Sequence, residues 1–162
     1  MLATAESATD ANSDRFAIEA MIKTACWHLD TGEFDKWIGL FAADGVYEIE
    51  VYSPEIQKSM RWQRLTRMEM ATLLSEMPNH LTEDARRAHM VMTVQANVDR
   101  DAASSISRFV VFKTNARGES GAYAIGTYVD DLVRQAGVWL ISRRKVVLET
   151  RMFDVFPHII PL

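Results

Sequence analysis

The stretch from 122 to 149, AYAIGTYVDDLVRQAGVWLISRRKVVLE, limits the folds open to this chain more than any other. Tyr, Ile, Val, Thr and Trp crowd two arms, 122–134 and 138–149, and Gln135-Ala136-Gly137 separates them. β-Branched and aromatic residues on either side of a short Gly-containing break predict a hairpin. Each arm is about twice the usual strand length of roughly 5–6 residues. Strands that long belong to a strongly curved sheet wrapped around other elements. With a three-residue loop, Asp130 and Arg144 fall on one face as diagonal neighbours, and Asp131 and Arg143 on the other. Opposite charges in that relation support the register by about 0.2–1 kcal/mol each. The alternative is that they only keep an outer face wet.

What surrounds the hairpin is bounded by length and charge. A chain of 162 residues can bury roughly 70% of its unfolded surface as one domain. The formal charge of −4 argues against nucleic acid, whose partners carry a basic stripe. No apolar run approaches the ~20 residues of a membrane span, and the first residues, MLATAESATDANSD, lack the basic and apolar regions of a signal peptide. The single cysteine, Cys26, excludes an internal disulfide and suits a reducing compartment. The expectation is one soluble, cytoplasmic domain over 13–162, preceded by a loose arm over 1–12.

In chain order, Ser13 is placed to cap a helix whose apolar face runs Ile18, Ile22, Ala25 and Leu29, with Met21 beside it and Gly32 at its end. Phe34, Trp37, Ile38 and Phe41 follow at i, i+3, i+4 and i+7, a second helix whose aromatic residues read as core before ligand lining. Asp44-Gly45 turns the chain into a strand over 46–52. There Tyr47, Ile49 and Val51 face inward, and Glu48 and Glu50 face solvent. From 53 to 65 the pattern dissolves into an excursion. Arg61 and Trp62 within it are candidate contact residues, because Arg and Trp are enriched at interface cores. Thr66 and Glu69 form a capping box that opens a third helix, and Pro78 stops it. A polar loop over 79–84 leads to strands over about 88–98 and 106–114. On the first, Met90, Met92, Val94, Ala96 and Val98 share one face, and His89, Val91, Thr93, Gln95 and Asn97 the other. His89 is thus grouped with poor lining residues: either a bulge resets the register or the histidine faces outward. The architecture is α+β, with about three helices on the concave face of an antiparallel sheet.

This order resembles the NTF2-like cone fold. Within it, the chain resembles the small (beta) subunit of aromatic-ring-hydroxylating dioxygenases, which are Rieske non-haem iron oxygenases. The resemblance rests on Gly126, Tyr128, Asp130 and Leu132, then Trp139 and Arg143-Arg144-Lys145-Val146-Val147-Leu148. It extends to LDTGEFDKWIGLFAADGVYEI over 29–49, to Arg87-Ala88-His89, and to the tail RMFDVFPHII. Met92-Thr93, where the family often has Ser-Asn, and Glu149, where it usually has Asp, depart from the pattern. So does the loop before Arg86.

The resemblance implies a Rieske [2Fe–2S] cluster and a mononuclear Fe(II) in the assembly. A Rieske cluster takes two Cys and two His. One cysteine cannot supply it, and His28, His80, His89 and His158 show no metal-ligand spacing. The redox chemistry is therefore expected in a Rieske-type large (alpha) subunit. This chain would be its structural partner, without cofactor, metal or catalytic residue of its own. An α3β3 assembly and self-association as a trimer are implied, in aromatic compound catabolism. The alternative is a free-standing dehydratase or isomerase of the same fold, with His89 as acid–base residue. Aligned with such enzymes, the aspartate partner of His89 falls on Trp27, the isomerase base on Ile49 and its tyrosine on Ala25. Only Tyr47 or His28 remains to orient the imidazole. A third possibility is a non-catalytic binder of small molecules.

Overall fold

In the computed structural model, the structure describes residues 3–76, 85–153 and 161–162, with side chains from residue 12 onward. The elements are α1 (Ala3–Asp30), α2 (Phe34–Gly39), β1 (Phe41–Ser53), β2 (Lys58–Thr66), α3 (Arg67–Glu76), β3 (Ala85–Asp99), β4 (Ala102–Asn115), β5 (Ser120–Gln135) and β6 (Val138–Leu148). The expected stop at Pro78, the 79–84 loop, His80, His158 and most of the RMFDVFPHII tail lie outside the described residues.

One six-stranded sheet, ordered β2-β1-β6-β5-β4-β3, organises the fold. It is mixed, not antiparallel throughout, because β1 runs parallel to β6. The NTF2-like cone with helices on its inner face otherwise stands as the sequence implied.

The apolar stripe of α1 lies on the sheet's inner face, with Ile18, Ile22 and Ala25 fully buried and Leu29 nearly so. The helix begins at Ala3, ten residues before Ser13, so that serine caps nothing. The segment ATAESATDANSD contains neither Gly nor Pro and has four alanines, which favours continuing the helix. Trp37, Ile38 and Phe41 are buried and mutually packed, with the Trp37 and Phe41 rings edge to face at 4.9 Å. They are core. Phe41, however, already belongs to β1, and Asp44-Gly45 is a kink within that strand. A Cβ on Gly45 would lie 2.9 Å from the Ala42 carbonyl, and the β1–β6 register shifts over this segment.

The capping box at Thr66 forms: the Thr66 N–H donates to Glu69 Oε2 at 2.7 Å, and the Glu69 N–H donates to Thr66 Oγ1 at 3.3 Å. The segment just before it is a strand, β2, where the sequence showed only an excursion. β2 is an exposed edge strand, and its register against β1 slips at Ile49/Glu50, skipping Trp62. An edge strand with no buried face and a bulge carries no period-two signature.

Candidate functional site

The central hairpin turns through two residues, not three. Gln135 pairs with Val138, and Ala136 and Gly137 both take positive φ, at 49° and 80°. Two left-handed residues make the primed turn that matches the strand twist. Asp130 is therefore directly opposite Arg144, and Asp131 opposite Arg143, not diagonal to them.

The two faces were assigned correctly, but their environments differ. Asp130 and Arg144 are both fully buried and joined by two parallel bonds, Nε to Oδ1 at 2.9 Å and Nη2 to Oδ2 at 2.8 Å. The Arg144 guanidinium also lies 4.4 Å from the centroid of Tyr128, whose other neighbour, Phe109, stacks at 4.2 Å. Burial alone would lower the pKa of Arg144. The charge and hydrogen bonds of Asp130 outweigh it and raise the value, so the cation persists. The stack explains Gly126: a Cβ there would sit 2.6 Å from the Val147 carbonyl and 2.8 Å from the Phe109 ring. Trp139, nearer the turn, donates from Nε1 to Asp14 of α1 at 3.1 Å, with Arg134 over its ring at 4.5 Å. The family signature is thus a packed inner surface that ties the hairpin to α1.

His89 points inward. A register slip between Thr93 and Gln95 resets the strand, so that Arg87, His89, Val91 and Thr93 face α1, followed by Ala96 and Val98. Its partner is Asp30, the last residue of α1. Asp30 Oδ2 accepts the His89 backbone N–H at 2.8 Å, and Oδ1 lies 2.5 Å from Nδ1. An ionised carboxylate only accepts, which assigns the ring proton to Nδ1 and leaves a lone pair on Nε2. The sequence comparison had put the partner at Trp27, one helical turn earlier. That residue is 63% exposed on the far side of the helix. The signal for Asp30 was its place at the helix end, but the pairing spans 59 positions and no local pattern shows it.

Neither proposed substitute reaches His89. His28 Nδ1 lies 2.8 Å from Glu33 Oε2. The Tyr47 hydroxyl is taken by Leu162, donating to its carbonyl at 3.2 Å and accepting its N–H at 2.9 Å. Leu162 itself is fully buried in the core. Beneath it, burial pushes the Cys26 thiol up to about 11, which keeps it protonated. It also raises the Tyr47 and Tyr128 hydroxyls. Among the described residues, His89 Nε2, Trp37 Nε1, Ser105 Oγ and Arg144 Nη1 are sealed from solvent and find no hydrogen-bond partner. A general base must come within about 2.6–3.2 Å of the proton it takes. The Nε2 lone pair is covered, so the pair can do acid–base work only if the interior opens.

Among the described residues, no three His, Cys, Asp or Glu side chains gather as a metal site. With one cysteine in the chain, already packed under Tyr128, the donor set does not fit a Rieske cluster. Arg61 and Trp62 both lie exposed on β2. Arg61 pairs in register with Glu50, and Trp62 meets Phe153 edge-on at 6.2 Å.

The fold is one curved six-stranded mixed sheet with the N-terminal helix packed on its inner face. The family model of the SnoaL-like domain matches residues 10–145, and the chain belongs to the family. More narrowly, it belongs with the beta subunits of ring-hydroxylating oxygenases. It is 30% identical to the methanesulfonate monooxygenase hydroxylase subunit beta of Methylosulfonomonas methylovora, over 88% of this chain and 84% of that one. It is 27% identical to the 2-aminobenzenesulfonate 2,3-dioxygenase subunit beta of an Alcaligenes species, over 90% and 98%. Its fold is shared with the solved beta subunit assigned to an aromatic-ring-hydroxylating dioxygenase of Novosphingobium aromaticivorans. There the TM-score is 0.77 at 20% identity, covering 87% and 92%.

Proposed function

We propose that this chain is the structural small subunit of a multicomponent ring-hydroxylating oxygenase of aromatic catabolism. In this role it assembles and stabilises a large subunit that performs the chemistry. The observation that carries this reading is the similarity to two oxygenase beta subunits over most of both chains. It is supported by the inner face, where the described residues pack the Asp130–Arg144 pair, the Phe109–Tyr128 stack and Leu162 together in one core. The partner is a Rieske-type large subunit holding the [2Fe–2S] cluster and a mononuclear Fe(II), in a cytoplasmic α3β3 complex with this chain as its trimer. The printed substrates of the relatives, methanesulfonate and 2-aminobenzenesulfonate, are both sulfonates, one aliphatic and one aromatic.

One observation favours a second reading. Asp30 orients His89 with the free lone pair that an acid–base catalyst needs. A dehydratase or isomerase built on this pair would turn over as an isolated chain and lose activity in His89→Gln. Co-expression with the large subunit separates the two. The scaffold reading expects stoichiometric co-purification, and turnover by the complex but not by either chain alone. Turnover by the isolated small chain would refute it.

A further inference from the structure

The chain beyond β6 returns to the inner face of the sheet and is held there by side chains. At its start it still pairs with β5. The Glu149 and Thr150 N–H groups donate to the Ile125 carbonyl at 2.9 and 3.4 Å, and Thr150 Oγ1 accepts the Ile125 N–H at 2.9 Å. Residues 150–153 and 161–162 lie outside every strand. Arg151 Nη1 reaches both carboxylate oxygens of Glu55, in the β1–β2 turn, at 2.6 and 2.7 Å. The Phe153 ring packs against the core, 6.2 Å from Trp62 of β2 and 5.1 Å from Tyr123 of β5. Since β1 and β6 separate those strands in the sheet, Phe153 bridges them across the inner curve. Leu162 is fully buried, and one hydroxyl holds both of its backbone polar groups: Tyr47 Oη donates to its carbonyl and accepts its N–H.

This mode of attachment differs from that of the strands beneath it. In the sheet each backbone bond is flanked by others of the same ladder. The described anchors beyond Thr150 are instead an ion pair with side chains 43% and 62% exposed, an aromatic ring, and the Tyr47–Leu162 clasp. Segments held by isolated contacts open at lower free energy than core ladders. What lies under the clasp is the polar part of the core. Arg144 is close enough for its charge to act on both the Tyr47 hydroxyl and the Cys26 thiol. We infer that the chain beyond β6 is a strap that opens as one unit while the sheet stays folded, with the Tyr47 hydroxyl as its latch. Its opening admits small molecules to the core between Tyr47 and Cys26. The strap belongs to the isolated chain and does not depend on the small-subunit reading.

Amide exchange followed by NMR, together with the reactivity of Cys26, tests this; Cys26 is the chain's single cysteine and is 3% exposed. Tyr47→Phe keeps the ring and removes only the latch. It is expected to speed exchange at Thr150, and reaction of Cys26 with dithionitrobenzoate, by about tenfold or more, because two hydrogen bonds are lost and thiol labelling follows access. Amides of β5 and β6 around Tyr128 are expected to keep the parent's rates. Arg151→Ala loosens the strap at its exposed end, away from the core. It is expected to speed exchange of the Leu162 amide about two- to fivefold, the scale of an exposed ion pair. That transfer from one end to the other is what a single unit requires. No change at the far end in both variants would leave only separate contacts and overturn the strap. Acceleration spreading equally to β5 and β6 would make the opening global and overturn it too. Faster strap exchange with unchanged Cys26 labelling would overturn the access to the core.

Discussion

The central hairpin places two acid–arginine pairs side by side and treats them oppositely. Asp130 and Arg144 face inward with no exposure, whereas Asp131 and Arg143, one residue away on each strand, face outward at 57% and 43% side-chain exposure and 4.0 Å apart. The chemical types are identical, so the difference comes wholly from which side of the pleat each occupies. Inside, two charges lose water and are held by each other and, for Arg144, by the face of the Tyr128 ring. Removing one partner from such a pair typically costs about 3–5 kcal/mol, because the survivor is left buried and uncompensated. Outside, water competes for both, and an exposed pair contributes about 0–1 kcal/mol. The inner pair specifies the fold; the outer pair decorates it.

The largest expected effect is therefore on the inner face. Asp130→Ala should destabilise the chain by about 3–5 kcal/mol in urea melts, while replacing both partners with apolar residues of similar volume should recover much of the loss. Next comes Gly126→Ala, which drives a methyl into the Val147 carbonyl and the Phe109 ring; overpacking of this kind costs about 1–3 kcal/mol. Glu48 stands between the two faces, since it points outward yet is nearly sealed beneath Arg143 and Arg64. Burial tends to raise its pKa, but the Arg143 hydrogen bond and the neighbouring arginine charges outweigh that and lower it from 4.5. A carboxyl lowered on folding adds stability that is complete above its unfolded value and fades as pH falls through the folded one. Melts of the parent and of Glu48→Gln should accordingly converge as the pH drops below about 4.5. The smallest effect is Asp131→Ala, expected within about 1 kcal/mol and shrinking further in salt. An Asp131→Ala loss as large as that of Asp130→Ala would erase the distinction between the faces.

The same asymmetry explains what could be read from the residues alone. Segments that bury one face announce themselves: the α1 stripe, the core triplet Trp37, Ile38 and Phe41, and both arms of the hairpin follow their periods because packing enforces them. β2 escaped because it lies at an edge, exposed and bulged at Trp62, so no burial imposes alternation on it. The bulge that turns His89 inward was one of two outcomes compatible with the sequence. Asp30 was invisible as its partner because only the tertiary fold brings the end of α1 to β3. The two-residue turn was mistaken for three because Gln135 can pair across the hairpin as readily as it can loop.

That this chain supplies form and the large subunit supplies chemistry is tested most directly by turnover per assembled complex. Complexes built with His89→Gln or Asp30→Asn chains, matched to wild type in subunit ratio and iron content, should have the wild-type kcat and pH profile. A complex that assembles with full iron but loses turnover, or shifts its pH profile, when His89 is replaced would place the Asp30–His89 pair in the reaction and contradict the account.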